Sequence, residues 1–195
     1  MIDRITKLYQ DSGLLLFCVR IPLRFLKVFF DILNTLFYKA VCKKVGKNVR
    51  IEFGARIESP KLVSIGDGVF IGKGTLLVSE NNTGECIIED KVHICRNCHL
   101  DHTGGLTIGN NTLLSEGVVI YSHSHGYDPK SKPVSIKKEI AANCWLGTRA
   151  ILLETAESIA AKTIIASAAV VSKSITEKQC IFGGVPAKRI KQYND

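Results

Sequence analysis

Residues 65–76 read IGDGVFIGKGTL, which is two six-residue units in succession. Each unit begins with isoleucine, at Ile65 and Ile71, and has a β-branched residue in fifth place, at Val69 and Thr75. A unit of this length cannot bury a core by itself, so the units must stack and share one core. Further units with an aliphatic first residue begin at Ile51, Ile88, Ile94, Ile108, Leu114, Ile140, Leu146, Ile159 and Ile165. The period predicts a mainly β protein, a parallel β-helix.

Three units make one triangular coil of the predicted helix, with a short strand on each side and a turn at each corner. Coils stack at the spacing of neighbouring strands, about 4.8 Å, so each coil pairs its backbone with the next. The aliphatic first position points inward, and the small fifth position fits the corner. A β-sandwich with accidental spacing is disfavoured, because the quoted units respect both inward positions.

Residues 1–44 lack the six-residue period and form a separate hydrophobic segment. Apolar clusters such as residues 28–30 (VFF) alternate with basic residues, and Pro22 suits the first turn of a helix that runs to about Cys42. Charge-free stretches fall far short of the roughly 20 residues of a membrane span. Two interpretations stay open: a helical cap on the β-helix or between subunits, and an amphipathic helix at an anionic membrane.

The composition favours one domain with an anionic partner, because the chain has 195 residues and a formal net charge of +8. We expect no nucleic-acid partner, since basic runs with interleaved aromatic residues are missing. The seven cysteines have no disulfide-like spacing, which fits a reducing cytoplasm. Cys95 and Cys98 form a single CxxC pair, and Cys98 takes the small inward position of its unit, so we expect packing there and no metal.

Three stretches of the chain are similar to a known family: residues 119–129 (VIYSHSHGYDP), 143–147 (NCWLG) and 182–191 (FGGVPAKRIK). They resemble the hexapeptide-repeat acyltransferases with a left-handed β-helix, near the maltose and galactoside O-acetyltransferases and the polysaccharide O-acetyltransferases. The last stretch is common to several left-handed β-helix families, so the histidine-bearing stretch discriminates best. The resemblance implies a β-helix domain over residues 45–191 and leaves a tail at 192–195.

The repeat is interrupted in two places, and one further corner is longer than usual. Residues 79–86 (SENNTGEC) form a polar loop, and residues 126–139 form an excursion loop directly after the histidine-bearing stretch. Loops that leave a rigid scaffold often carry binding groups. Residues 152–158 (LLETAES) have one residue more than the family's usual turn and lack its Pro-Gly, so we expect an irregular corner.

The resemblance implies that His125 is the catalytic base, a role that suits a side chain titrating near neutral pH. His123 is the second choice for the base, because Ser124 is expected to be the small inward residue and His123 would then point away from the site. His123 is also expected as a contact of the substrate. Asn97 matches a family position that lines the acceptor site. Asp101 is expected to orient His99 or His102, or to bind the acceptor.

The same resemblance implies a groove for acetyl-CoA, the expected acyl donor. Trp145 matches the residue along the pantetheine arm, and the backbone near Gly147 and Thr148 matches the oxyanion donor. The remaining residues expected to contact the cofactor are small residues against its chain and basic residues near its phosphates: Ala166, Ser167, Ser172, Lys173, Lys188 and Lys191, with Arg189 beside them.

The function expected from the sequence is transfer of an acetyl group to a sugar hydroxyl, in surface polysaccharide biosynthesis. The implied partners are two further copies of the chain, in a homotrimer, and a small or lipid-linked sugar. The implied location is the cytoplasm or the inner face of the cell membrane. The alternatives are a non-catalytic β-helix scaffold, a serine acetyltransferase, and a γ-type carbonic anhydrase, which would need histidine ligands in a spacing that the chain lacks.

Overall fold

The protein is described by a computed structural model that covers residues 2–194, with side-chain surroundings for residues 18–194. The apolar side chains near the start of the chain and the last residue of the expected tail lie outside the described residues. One N-terminal helix precedes a parallel β-solenoid of about 7 turns, which confirms the predicted mainly β fold.

The elements follow in chain order. Helix α1 spans Ile2–Val41, and a 3₁₀ turn spans Pro60–Leu62. The strands are β1 (Lys44–Val45), β2 (Arg50–Ile51), β3 (Arg56–Ile57), β4 (Val63–Ile65), β5 (Phe70–Ile71), β6 (Leu76–Val78), β7 (Cys86–Ile88), β8 (His93–Ile94), β9 (His99–Asp101), β10 (Leu106–Ile108), β11 (Leu113–Leu114), β12 (Val119–Ile120), β13 (His123–Ser124), β14 (Val134–Ser135), β15 (Lys138–Ile140), β16 (Trp145–Leu146), β17 (Ile151–Leu152), β18 (Ser158–Ile159), β19 (Ile164–Ile165), β20 (Val170–Val171), β21 (Cys180–Gly183) and β22 (Lys188–Gln192).

Each coil adds one strand to each of three sheets. The strand orders are β1-β4-β7-β10-β15-β18, β2-β5-β8-β11-β16-β19-β21-β22 and β3-β6-β9-β12-β17-β20. All neighbours in these sheets are parallel except β21 and β22, which form an antiparallel hairpin at the C-terminal end. The aliphatic first residues stack in register, as Ile71 does on Ile94, and both are fully buried.

The corners explain why small residues follow the aliphatic ones. A Cβ atom on Gly72 would lie 2.8 Å from the backbone nitrogen of Arg96 in the next coil. A side chain at position 72 would therefore collide with the next coil, although other units carry larger residues in second place, such as Glu52 and Cys95. Several corners also carry asparagine in the left-handed backbone region, for example Asn97 (φ 58°) and Asn143 (φ 59°), a conformation that asparagine adopts more readily than most residues.

Helix α1 begins upstream of Pro22, so the start that the sequence predicted is wrong. Proline favours a first turn because it has no N–H to donate; inside a helix it removes one backbone hydrogen bond and its ring crowds the carbonyl four residues earlier, which costs about 3 kcal/mol. The helix continues through Pro22 and ends at Val41, near the expected end. Within the part of the chain that the structure describes, no helix combines the length and apolar character needed to cross a membrane.

The C-terminal half of α1 lies across the first coil and satisfies its open backbone edge. The N–H of Ile51 donates to Thr35 Oγ1 at 3.0 Å, and the N–H of Phe53 donates to buried Asp31 at 2.9 Å. Farther along, the N–H of Ile57 donates to the Tyr38 hydroxyl at 3.0 Å. These are the contacts of a cap.

The face of α1 that points away from the solenoid is apolar and exposed. Its exposed large hydrophobic residues are Val19, Leu23, Phe25, Leu26, Val28, Phe29, Phe30, Ile32, Leu33, Leu36 and Phe37. A contiguous apolar surface of this kind commonly marks a site of interaction with a protein or a membrane.

The corner between β17 and β18 is irregular, as predicted, and it encloses a buried lysine. Lys138 is fully buried, and its ammonium donates to the carbonyls of Leu153 at 2.8 Å and Glu154 at 3.0 Å, and to that of Ala156. The longer corner thus turns its carbonyls inward toward a cation.

Candidate active site

The site begins at the end of β9, where Asp101 is fully buried. Its Oδ1 accepts hydrogen bonds from the Thr103 N–H at 2.9 Å and the Thr103 hydroxyl at 2.6 Å. Its Oδ2 accepts from the Ser122 N–H at 2.6 Å and the Ser122 hydroxyl at 2.9 Å. The carboxylate therefore joins two neighbouring coils at one corner.

The same Oδ2 also lies 2.7 Å from Nδ1 of His123, the first residue of β13. Burial alone would raise the pKa of Asp101, but the hydrogen bonds from Thr103, Ser122 and His123 outweigh it and hold the pKa below its ordinary value. An ionised carboxylate accepts only, so Nδ1 of His123 is the donor and Nε2 points away from Asp101.

His125 is fixed by the excursion loop. Its Nδ1 lies 2.7 Å from the carbonyl oxygen of Ser131, and the Ser131 hydroxyl donates back to the His125 carbonyl at 2.7 Å. Because a carbonyl can only accept, Nδ1 carries the proton, and Nε2 of the neutral ring holds the free lone pair.

Glu80, in the loop between β6 and β7, meets both histidines. One carboxylate oxygen lies 3.3 Å from Nε2 of His123, and the other lies 3.3 Å from Nε2 of His125. The two imidazole rings are perpendicular, with centroids 5.0 Å apart. The Glu80 N–H donates to the Thr103 hydroxyl at 3.0 Å, so the network around Asp101 also positions this loop.

The expectation that His123 turns away from the site is wrong. It rested on Ser124 as the small inward residue of a regular coil, whereas β13 leaves the coil and pairs with β14 in an antiparallel hairpin. In this hairpin both rings turn toward Glu80. The His123 side chain is 13% exposed and that of His125 is 27% exposed, so His125 is the more open of the two.

The expected partners of Asp101 are also wrong. Asp101 bonds His123 one coil away, and not His99 or His102. His102 is fully buried and bonds the Gly84 carbonyl through Nδ1 at 2.8 Å, while His99 packs near the ring of Tyr121.

The comparisons with known proteins agree with this fold. No family model matches the chain. WbbJ of Escherichia coli K12, named as a lipopolysaccharide biosynthesis O-acetyl transferase, is 28% identical over 183 residues, which cover 87% of this chain and 89% of WbbJ. The chain is thus similar in sequence to an O-acetyl transferase and in fold to the hexapeptide-repeat acyltransferases.

Two solved acyltransferases are similar in structure. The N-acyltransferase AntD of Bacillus cereus superposes with a TM-score of 0.70 at 21% identity, over 82% of this chain and 89% of AntD. The hexapeptide-repeat acetyltransferase VCA0836 of Vibrio cholerae gives a TM-score of 0.59 at 19% identity, over 98% of this chain and 94% of VCA0836.

Two of the residues expected along an acyl donor have defined contacts. Trp145 is half exposed on β16, and its indole N–H donates to the Ser115 hydroxyl at 3.0 Å. The Gly147 N–H is already used, because it donates to the Ile165 carbonyl at 2.8 Å in the next coil. Thr148, which is exposed, therefore remains as the candidate oxyanion donor.

The other expected cofactor residues lie in the last coils. The Ala166 N–H donates to the Phe182 carbonyl at 2.8 Å, and the Ser172 carbonyl accepts from the Thr155 hydroxyl at 2.8 Å. The remaining members are exposed: Ser167, Lys173, and Lys188 and Lys191 on β22. Arg189 is engaged by Glu177 at 2.6 Å.

Asn97, expected at the acceptor site, is exposed at a corner, and its amide donates to Glu116 at 3.2 Å, so its hydrogen bond does not run to the histidine cluster. Cys98 is buried as expected, and burial raises the pKa of its thiol to about 11.

Sequence reasoning missed Glu80 and Ser131. Both sit in the loops that interrupt the repeat, so the interruptions were the available signal, but the residues within them could not be chosen without the conformation of the loops.

Proposed function

We propose that this acyltransferase moves an acetyl group from acetyl-CoA to a sugar hydroxyl, with His125 as the general base. The observation that carries the proposal is the fixed tautomer of His125. Its Nδ1 donates to the Ser131 carbonyl, so the proton-accepting lone pair of the ring lies on Nε2, which faces Glu80 at 3.3 Å. A base with a fixed lone pair is what deprotonation of an alcohol requires.

The transfer is direct. The sugar oxygen attacks the thioester carbonyl while Nε2 of His125 takes the hydroxyl proton. The Thr148 N–H donates to the oxyanion of the tetrahedral intermediate. The carbon–sulfur bond then breaks, and the thiolate of coenzyme A receives the proton from the imidazolium of His125. The products are the O-acetyl sugar and free coenzyme A.

Acyl-CoA as the donor is supported by the similar structures. AntD was crystallised with coenzyme A and with 3-hydroxybutyryl-CoA, and VCA0836 with acetyl coenzyme A. The exposed lysines of the last coils, Lys173, Lys188 and Lys191, offer cations for the cofactor's phosphates. Trp145 offers an exposed aromatic surface to the pantetheine arm.

A sugar acceptor is supported by WbbJ, whose name places it in lipopolysaccharide biosynthesis, and we propose surface polysaccharide biosynthesis as the setting. AntD, which was crystallised with dTDP-4-amino-4,6-dideoxyglucose, acts on nitrogen. We favour oxygen as the acceptor atom because WbbJ is the more similar in sequence, at 28% against about 20% identity.

We propose that the active enzyme is a homotrimer, as the family resemblance implies, and that α1 holds it at the inner face of the membrane. The exposed apolar face of α1 and its basic residues, such as Arg24 and Lys39, fit an anionic lipid surface. The enzyme would then meet a lipid-linked acceptor.

The test measures acetyl transfer by the variants His125→Ala and His123→Ala. The assay signal is the free thiol of the released coenzyme A, and hydroxyl and amino sugars are compared as acceptors. We expect His125→Ala to lose roughly 10²–10⁴-fold in kcat, with unchanged binding of acetyl-CoA in calorimetry. His123→Ala is expected to lose less. Near-normal transfer by His125→Ala, together with an inactive His123→Ala, would move the base to His123. Faster transfer to the amino sugars would reassign the enzyme as an N-acyltransferase.

A further inference from the structure

We propose that Glu80, His123 and His125 form a binding site for a divalent transition metal of the zinc type, and that the metal inhibits acyl transfer. The three side chains bring two imidazole nitrogens and one carboxylate to one point from two separate loops. Two histidines and one carboxylate are a recurrent ligand set for zinc.

The spacing of the ligand atoms fits such an ion. The ligand atoms all lie within 4.8 Å of one another, and each Nε2 is 3.3 Å from a carboxylate oxygen. Tetrahedral zinc with bonds of about 2.0–2.1 Å separates its ligands by about 3.3 Å. Each Nε2 stands at this separation from a different oxygen of Glu80, so the carboxylate would bind the ion through both of its oxygens.

The groups behind the histidines match a metal site as well. Histidine ligands usually donate their second ring N–H to a carboxylate or a backbone carbonyl, which fixes the tautomer and aims the free nitrogen at the metal. His123 does so to Asp101 at 2.7 Å, and His125 does so to the Ser131 carbonyl at 2.7 Å. Asp101 is fully buried, so it is a fixed support.

An ion pair between Glu80 and protonated histidines explains the cluster less well. Charge-assisted N–H···O bonds have lengths of about 2.7–2.9 Å. The two Glu80 contacts are 3.3 Å, longer than that range, whereas the Nδ1 contacts of the same rings are short. The Glu80 side chain is 49% exposed, which leaves a position on the solvent side for water as a further ligand.

Inhibition is expected because the metal and the substrate proton would compete for the same lone pair, on Nε2 of His125. This part of the proposal rests on the proposed function. Zinc bound at Nε2 of His125 takes the electron pair that would accept the hydroxyl proton. Metal and proton transfer therefore exclude each other, and a chelator should restore activity.

The experiment is a calorimetric titration of ZnCl₂ into the metal-free full chain, with Co²⁺ absorption as a second readout of ligand geometry. We expect one ion per chain and, with Co²⁺, a visible absorption band typical of a cobalt ion with few ligands. Glu80→Gln should weaken Zn²⁺ binding at least tenfold. Glu85→Gln, a matched control from the same loop, exposed and paired with Lys43, should leave binding unchanged.

Absence of stoichiometric binding would overturn the proposal, and so would equal affinity in Glu80→Gln and the parent chain, which would place the ion on other groups such as the cysteines. The binding readout is independent of catalysis. A chain that binds Zn²⁺ but transfers acetyl to no sugar retains the metal site and loses the proposed function. A chain that transfers acetyl but binds no Zn²⁺ retains the proposed function and loses the metal site.

Discussion

Replacement of Asp101 by asparagine tests the corner on which the histidines depend. The side chain is fully buried, and each of its oxygens accepts one backbone N–H, from Thr103 on one side and from Ser122 on the other. Asparagine keeps one oxygen and replaces the other with an NH₂ group of nearly the same size. Asp101→Asn therefore removes an acceptor without opening a cavity.

The size of the loss in the free energy of unfolding depends on which hydrogen-bond donors around Asp101 can adapt to the asparagine. The hydroxyls of Thr103 and Ser122 can rotate to accept from the new NH₂, but a backbone N–H cannot. Whichever way the amide is turned, one buried N–H loses its acceptor, which costs about 1–3 kcal/mol. The bonds that remain lose charge assistance, so we expect a decrease in the free energy of unfolding of at least about 1 kcal/mol.

Urea unfolding at neutral pH and equal protein concentration measures this loss, with the fluorescence of Trp145 as the signal. The matched control is Asp67→Asn. Asp67 is exposed and accepts the Lys47 N–H at 2.7 Å, which the oxygen of asparagine can still do. The control should stay within about 0.5 kcal/mol of the parent. A similar value for Asp101→Asn would refute the reasoning, because it would mean that the buried N–H groups have other acceptors.

Four further predictions concern the acyl donor, the assembly, the membrane and pH. Lys188→Ala combined with Lys191→Ala should raise the apparent constant for acetyl-CoA, since each lost contact is worth up to about 1.5–3 kcal/mol; an unchanged constant would place the phosphates elsewhere. Light scattering should give a homotrimer, and a stable, fully active monomer would contradict this. Phe25→Asp, which alters the exposed face of α1 and spares its capping contacts, should reduce co-sedimentation with anionic vesicles; equal sedimentation of variant and parent, or none by either, would exclude the membrane role for this face. Burial lowers the pKa of Lys138 from 10.5 to about 8, because nearby carboxylates, which raise this pKa, offset only part of the effect of burial. Between these values the unfolded chain binds more protons, so stability should rise with pH there, and urea unfolding of Lys138→Met should show a smaller rise.

The sequence predicted the solenoid well because its core obeys a strict rule. Each first-position residue, such as Ile71 or Ile94, must point inward, and each coil must repeat the last one. The bond between Asp101 and Ser122 was also within reach. Since Leu100 pairs with Ile120, the register places Asp101 beside Tyr121, one residue before Ser122, at the next corner.

The orientation of the histidines was not within reach of the same rule. It depends on a hairpin that leaves the coil, in which Ser124 pairs with Val134 and Ser131 captures His125. The continuation of α1 through Pro22 was missed for a different reason, because the preference of proline for a first turn was taken to mark the start of the helix.

The two loops that carry the site are attached to the solenoid without disturbing its register. After each loop the chain re-enters the same sheet, where Cys86 and Lys138 pair with Leu106 from its two sides. Loop length is thereby uncoupled from core packing, since residues gained or lost between these anchors shift no aliphatic side chain out of the interior. A new acceptor specificity can therefore be acquired by exchanging a loop, while the coils and their core packing stay unchanged.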